Sequence, residues 1–215
     1  MSDTPQLVAP GLYAQGTRRF TLGPDGELRP FSPNRSKLAA YLKLGGTAWP
    51  FGEGCRVLYL GAASGTTVSH IADCCPRGRV FAVEKALRPL RELVTLCGER
   101  DNVVPLQADA SMPERYGAIV GLVDVLYQDV AAPNQGAIFA ANAARFCRPG
   151  ALGMLMVKAR SIDAAAPPGA IIDEVEVGLP PQAQLLERIG LGPFERDHAA
   201  LVVRLGTAAA STGTP

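Results

Sequence analysis

The chain has 215 residues, 47% of them hydrophobic and 19% charged, with a formal net charge of +1. That length suits one large packed domain, or one domain with a small appendage. The near-neutral balance argues against an autonomous nucleic-acid binder, whose affinity rests on an excess of Lys and Arg facing phosphates, so any nucleic-acid substrate is expected to be held mostly by other components.

Residues 1–31 predict a small N-terminal β region, in which "GLYAQGTRRFTLGPDGELRPF" alternates apolar and polar positions around the turn signal "GPDG". "SPNRSKLAAYLKLGG" predicts a helix capped by Ser32 or Asn34 and stopped at Gly45-Gly46. From Cys55 onward strands and helices alternate. "CRVLYLG" precedes the helix "TTVSHIADCC", and "RVFAVE" precedes "ALRPLRELVTLC", where Leu90, Leu93, Val94 and Cys97 mark one helical face. "NVVPLQAD" and "VDVLYQD" supply two more strands, a helix over 134–147 leads into "ALGMLMVKA", and a weaker helix spans 169–178.

Such βα repeats with continuous apolar strands mean a parallel sheet covered on both faces. The last strands, "QLLERIGL" and "AALVVRL", are joined only by "GPFERDH", too short for a crossover helix, and should pair as a hairpin. The expectation is an α/β, Rossmann-like class I methyltransferase fold: a seven-stranded, mostly parallel sheet with an antiparallel last strand. The methyltransferase domain is assigned to residues 32–206, and 207–215 to a disordered tail. The longest apolar runs fall far short of the roughly 20 residues of a membrane span, and no signal-peptide pattern opens the sequence, so a cytoplasmic protein without membrane contact is expected. Cys55, Cys74, Cys75, Cys97 and Cys147 lack C-x-x-C spacing and are odd in number. Reduced, mostly buried thiols are expected, with neither disulfide nor metal site.

"LYLGAASGTT" places Gly61 and Gly65 between the first central strand and its helix, where glycine lets backbone approach a ligand and a helix start offers free N–H groups. A merely tight strand-to-helix turn would look the same. The spacing is not the G-x-G-x-x-G of a dinucleotide site, which disfavours a nicotinamide dehydrogenase. Glu84, Asp109 and Asp129 end three successive strands, at the edge where such sheets bind ligands. Glu84 is suited to ribose hydroxyls and Asp109 to an adenine amino group. Lys158 sits where the fifth strand leaves the core, a position that also suits a snorkelling lysine. His70, among small residues on the first helix, reads as a structural or surface group. His198 follows Glu195, Arg196 and Asp197 at the entry to the last strand.

"FSPNRSKLAA", "VLYLGAASGTT", "YQDVAAPNQ", "MVKARSID" and "PFERDHA" resemble fibrillarin and the archaeal fibrillarin-like RNA 2′-O-methyltransferases, in order and with compatible spacing over residues 28–205. The resemblance implies S-adenosylmethionine as methyl donor and ribose 2′-hydroxyls of rRNA or tRNA as acceptors. Its implied partners are a box C/D guide RNA with its target RNA, a Nop-type scaffold protein and a kink-turn-binding protein. By position it implies cofactor contacts at Gly61, Gly65, Thr66, Thr67, Glu84, Lys85, Asp109, Ala110, Asp129, Val130, Ala131 and Ala132. The family's Lys-Asp-Lys-His tetrad falls on Lys37, Asp129, Lys158 and His198. Within it, Lys158 is expected to contact the hydroxyl, either as base or as a cation for the developing alkoxide, with Asp129 holding its ammonium. Lys85 stands where the family usually has an aromatic residue, and Ala132 where glutamine is usual. A stand-alone methyltransferase on another hydroxyl and a non-catalytic assembly subunit are the competing readings; the second would be expected to have lost tetrad members.

Overall fold

The computed structural model describes residues 4–206, so the tail expected to be disordered lies outside the described residues. Four short strands, β1 (Gln6–Ala9), β2 (Leu12–Gln15), β3 (Arg18–Leu22) and β4 (Leu28–Pro30), form an antiparallel meander in chain order. The "GPDG" turn joins the last two: Gly26 N–H donates to the Gly23 carbonyl at 3.0 Å, with Gly26 at φ +81°.

Helix α1 (Lys37–Lys43) is capped four residues past the earlier of the two expected caps. Its N-cap is Ser36, extended at φ −148°, whose Oγ accepts from Ala39 N–H at 3.4 Å. Ser32 and Asn34 are occupied by a preceding turn, in which Asn34 N–H donates to Ser32 Oγ and Arg35 N–H to the Ser32 carbonyl. The two glycines end the helix as expected, Gly45 taking φ +99°.

The βα units follow: β5 (Arg56–Leu60), α2 (Thr66–Cys74), β6 (Arg79–Glu84), α3 (Leu87–Cys97) and β7 (Val103–Gln107). A short 3₁₀ turn leads to α4 (Gly117–Val120), then β8 (Val123–Gln128), α5 (Gln135–Phe146), β9 (Cys147–Lys158), α6 (Ala159–Ile162) and α7 (Pro168–Val177). The chain closes with β10 (Ala183–Gly190) and β11 (His198–Leu205). The seven strands lie in the order β10-β11-β9-β8-β5-β6-β7; β5 to β9 pair in parallel, and β11 pairs antiparallel with both neighbours. This is the class I methyltransferase sheet.

Each central strand is buried on both faces, as a parallel sheet between helical layers requires. Val57 and Tyr59 of β5 face a core shared with Leu38, Ile71, Leu93, and Leu12 and Phe31 of the small sheet. Leu58 and Leu60 face the opposite core, with Tyr116, Phe139 and Ile171. On α3 the expected stripe shifts by a residue: Leu90, Leu93, Leu96 and Cys97 pack inward while Val94 is exposed.

His70 is structural and buried, not a surface group. Its ring lies 4.5 Å from Phe31, and its Nδ1 is 2.7 Å from Thr21 Oγ1. The same hydroxyl donates to Asp73 at 2.8 Å, so it accepts from the histidine. Asp73, 1% exposed, also receives Arg29 and, at 3.1 Å, Arg100. These contacts tie the N-terminal sheet to α2. All five cysteines are free thiols, Cys74 and Cys75 buried and the others half-buried. Among the described residues no helix is long and apolar enough to cross a membrane.

Candidate active site

A cavity of about 780 Å³ opens beyond the C-terminal ends of β5, β6 and β8. The topology places it there because parallel strands direct all their exits to one edge, and the strand order reverses beside β5. Gly61, Glu84, Lys85, Asp109, Ala110 and the Asp129–Ala132 segment, nine of the twelve sequence-designated contacts, line it. Lys158 also lines it, and Val83, Leu87, Ala108 and Ile138 add apolar wall that no motif had marked.

Gly61, at φ +80°, is required by its surroundings: a Cβ there would come within 2.7 Å of the Asp129 carbonyl. Gly65, at φ +90°, starts α2, but a side chain on it would meet Leu93 and Leu96 rather than the cavity. The structure therefore places Gly65, Thr66 and Thr67 beside the cavity and not in its wall. Buried Thr67 turns inward, its hydroxyl donating to Ser36 Oγ at 2.9 Å and so linking α2 to the cap of α1.

The three carboxylates do separate work. Glu84 accepts from Ala63 N–H at 2.8 Å and Ala86 N–H at 2.7 Å, which fixes the loops on either side. Asp109 accepts from Ser111 and, at 2.6 Å, from the Lys85 ammonium. That ammonium, followed by the Ser111 donors, lowers the Asp109 carboxyl to about 2. Lys85 itself is 76% exposed, so the pair is an open, water-screened bridge.

Asp129 gathers the remaining charge. Its N–H donates to the Leu60 carbonyl at 2.9 Å, anchoring it at the tip of β8. Lys37 Nζ, from the first residue of α1, lies 3.3 Å from Oδ2. Lys158 Nζ lies 2.9 Å from Oδ1, an off-axis ion contact, and donates its hydrogen bond to the Asp129 carbonyl at 2.9 Å. The Lys158 side chain is 17% exposed, so it does not snorkel. The β9–β11 register sets His198 opposite Lys158. The His198 imidazole is lowered below its ordinary value by burial first and by the Lys37 charge second, with Lys158 acting in the same direction and Glu195 and Asp129 against it. Beneath the cluster, Tyr59 and Tyr127 stack at 4.6 Å. Their phenols are raised well above the ordinary range by burial first, and for Tyr59 next by the Asp129 charge, so both stay protonated.

Three residues of the cluster, Gln135, Gln128 and Glu195, were given no role from the sequence. Gln135, fully buried on α5, accepts from Lys158 N–H at 3.0 Å and donates to its carbonyl at 3.1 Å. Gln128 donates in turn to the Gln135 carbonyl at 2.8 Å. Glu195 lies 3.5 Å from Lys37 Nζ and 3.2 Å from His198 Nδ1. Its spacing three before His198 is visible in "PFERDH"; nothing in "APNQ" announces a buried glutamine. The motifs "KARSID" and "PFERDH" are themselves joined: Ala159 N–H donates to the Asp197 carbonyl, and Arg160 Nε to the Asp197 carboxylate at 3.1 Å.

The fibrillarin family model matches residues 4–207. A fibrillarin-like rRNA/tRNA 2′-O-methyltransferase of Thermococcus sibiricus is 46% identical over 198 residues, covering 92% of this chain and 87% of that protein. A fibrillarin/Nop5p complex contains a chain that superposes with TM-score 0.87 at 38% identity, covering 92% of this chain and 99% of the other. The fibrillarin of Aeropyrum pernix, with natively bound S-adenosyl-L-methionine, superposes with TM-score 0.76 at 38% identity, covering 89% and 92%. With the fold, the cavity and the charged cluster in one arrangement, the chain belongs to the fibrillarin family.

Proposed function

We propose that this protein methylates ribose 2′-hydroxyls of rRNA and tRNA, using S-adenosylmethionine, within a box C/D ribonucleoprotein. The observation that carries this reading is the meeting of Lys37, Lys158 and His198 around Asp129, beside a cavity that also presents Glu84 and Asp109. The residues present fit the cofactor. Apolar Val83, Leu87 and Ile138 suit a nucleobase, the carboxylates at the strand ends suit its hydroxyl and amino donors, and Gly61 keeps the floor open. The activity of the Thermococcus relative and the ligand of the Aeropyrum protein support the same assignment.

When bound, S-adenosylmethionine supplies an electrophilic methyl group. The chain's own residues must then orient the acceptor hydroxyl and ease loss of its proton. Lys158, clamped through its backbone by Gln135 and through its ammonium by Asp129, presents a fixed cation to the developing alkoxide. His198, whose neutral form is favoured by burial and two nearby ammonium groups, is the group placed to take the proton. Lys37 completes the charge balance around Asp129.

A net charge of +1 leaves little to neutralise phosphates. The substrate is therefore delivered by partners: a box C/D guide RNA, a kink-turn-binding protein and a Nop-type scaffold, the last matching the Nop5p partner of the related complex. The test is methylation of a target RNA by the protein alone and after reconstitution with these partners. Activity should require them, and Lys158→Ala and His198→Ala should each lose 10²-fold or more in rate, roughly the scale of general acid–base catalysis, while keeping cofactor binding and assembly. Wild-type rates in both variants would refute the assignment. Efficient, site-specific methylation of naked RNA would favour a stand-alone enzyme.

A further inference from the structure

We infer that Glu195 is the positioning residue for His198, holding the imidazole with its proton on Nδ1 so that Nε2 is left to receive the proton of the acceptor hydroxyl. The inference rests on the role proposed above for His198. Glu195 Oε2 lies 3.2 Å from His198 Nδ1, and that nitrogen is buried without any aligned hydrogen-bond acceptor among the described residues. Glu195 is thus the acceptor at hand for an N–H there. The contact is bent, as such bonds often are in free enzymes before substrate draws the groups into line.

The backbone fixes this pairing. Glu195 N–H donates to the Leu191 carbonyl at 2.9 Å, and Leu191 N–H donates to the His198 carbonyl at 2.9 Å, so the turn closes on itself. Asp197, at φ +59°, is pinned from outside by Ala159 N–H and Arg160. The second oxygen of Glu195 faces Lys37 Nζ at 3.5 Å. One carboxylate thereby couples the first residue of α1 to the first residue of β11. A neutral imidazole that donates through one nitrogen must accept through the other, so an acceptor at Nδ1 selects which atom is the base.

Four charges face His198: Lys37 from α1, Lys158 from β9, Asp129 from the tip of β8, and Glu195 from its own turn. Burial and the ammonium groups favour the neutral ring, while the carboxylates oppose them. Removing the Glu195 charge should make the ring harder to protonate.

The chain has two histidines, so long-range ¹H–¹⁵N NMR of the full protein, without cofactor or RNA, reads His198 directly, with His198→Ala for assignment and His70 as internal fold control. The wild type should show the Nδ1–H tautomer. Glu195→Gln should keep it while the His198 midpoint falls by about one pH unit, and Glu195→Ala should mix the tautomers. In the reconstituted complex the acid limb of the kcat profile should move down with the midpoint in Glu195→Gln, with KM for RNA unchanged. An unaltered tautomer and midpoint in both variants would overturn the inference. If NMR responds as stated but the kcat profile does not follow, the positioning contact stands and the proton-accepting role of His198 is what fails. Should Glu195→Ala not fold, Glu195→Gln alone decides by its midpoint.

Discussion

Replacing Asp129 by alanine removes the one carboxylate shared by two ammonium groups. Lys37 and Lys158 sit 3.3 Å and 2.9 Å from its two oxygens, with side chains 14% and 17% exposed. Without it, two unit charges at a separation of roughly 6 Å and an effective dielectric of about 20 repel by ~3 kcal/mol. Breaking a buried pair by removing one partner typically costs 3–5 kcal/mol. Because some water reaches all three groups, the lower end applies, and Asp129→Ala should lose about 3 kcal/mol. In urea, with a slope of about 2 kcal/mol/M, the midpoint should fall by about 1.5 M. Asp129→Asn should be nearly as poor, since an amide offers one acceptor where the two ammonium groups need two. Two controls isolate the cause. Raising the salt should recover part of the loss by screening the repulsion, and Lys37→Met combined with Asp129→Ala should be more stable than Asp129→Ala alone. A loss under about 0.5 kcal/mol at low salt, or no recovery in the double variant, would refute the shared-carboxylate account.

Asp73→Ala should be comparably destabilising, by about 3–5 kcal/mol in the same titration, because it strands Arg100, only 6% exposed, without its buried partner; a loss below 1 kcal/mol would show that the N-terminal sheet is held otherwise. His70 is lowered to about 3, by burial first and by Arg29 next, so the unfolded chain binds its proton more readily than the native one. Its contribution is present above about pH 6.5 and is lost as pH falls toward 3, at up to ~1.4 kcal/mol per pH unit, and His70→Gln should flatten the stability profile in that window. Lys85→Phe should free Asp109 and return its carboxyl toward the ordinary range; calorimetry should show S-adenosylmethionine binding up to about fivefold tighter, matching the 0.2–1 kcal/mol of an exposed bridge, whereas weaker binding would mean that Lys85 itself holds the ligand. Gln135→Leu leaves the Lys158 N–H and carbonyl unpaired in a buried site and should lower both stability, by about 1–3 kcal/mol per group, and kcat.

The sheet was legible because its central strands are buried on both faces. Runs such as "VLYL", "RVFAVE" and "MLMV" have no polar side to confuse with a helix, and a link as short as "GPFERDH" permits only a hairpin. Strand ends likewise located Glu84, Asp109 and Asp129, since a parallel sheet gathers all its C-terminal tips at one edge. Local hydrogen-bond choices were less readable. Ser32, Asn34 and Ser36 are all competent caps, and only the turn over residues 32–35 puts Ser36 at the helix start. Thr67 was marked as a ligand contact by position, and its hydroxyl also donates to Ser36, a link that a linear reading cannot see.

The charged cluster divides along the same line. Spacing alone gave no reason to join Lys37 on α1 to His198 on β11; the resemblance to fibrillarin brought them together, and the structure supplies the cause. Asp129 leaves β8 with its backbone tied to β5, Lys158 is fixed on β9 by Gln135, and the antiparallel register of β11 sets His198 across from Lys158. Those constraints come from elements that must form for the core to exist. Four mutually repelling or attracting groups can then be held close without a flexible loop to align them, and the cost of crowding two ammonium groups falls on packing already in place. Glu195 is the exception, carried on a turn rather than a strand. That turn is closed by its own backbone hydrogen bonds and clamped by Arg160 on Asp197, the contact that joins "KARSID" to "PFERDH". Loosening that clamp should therefore act on His198 before it acts on the fold.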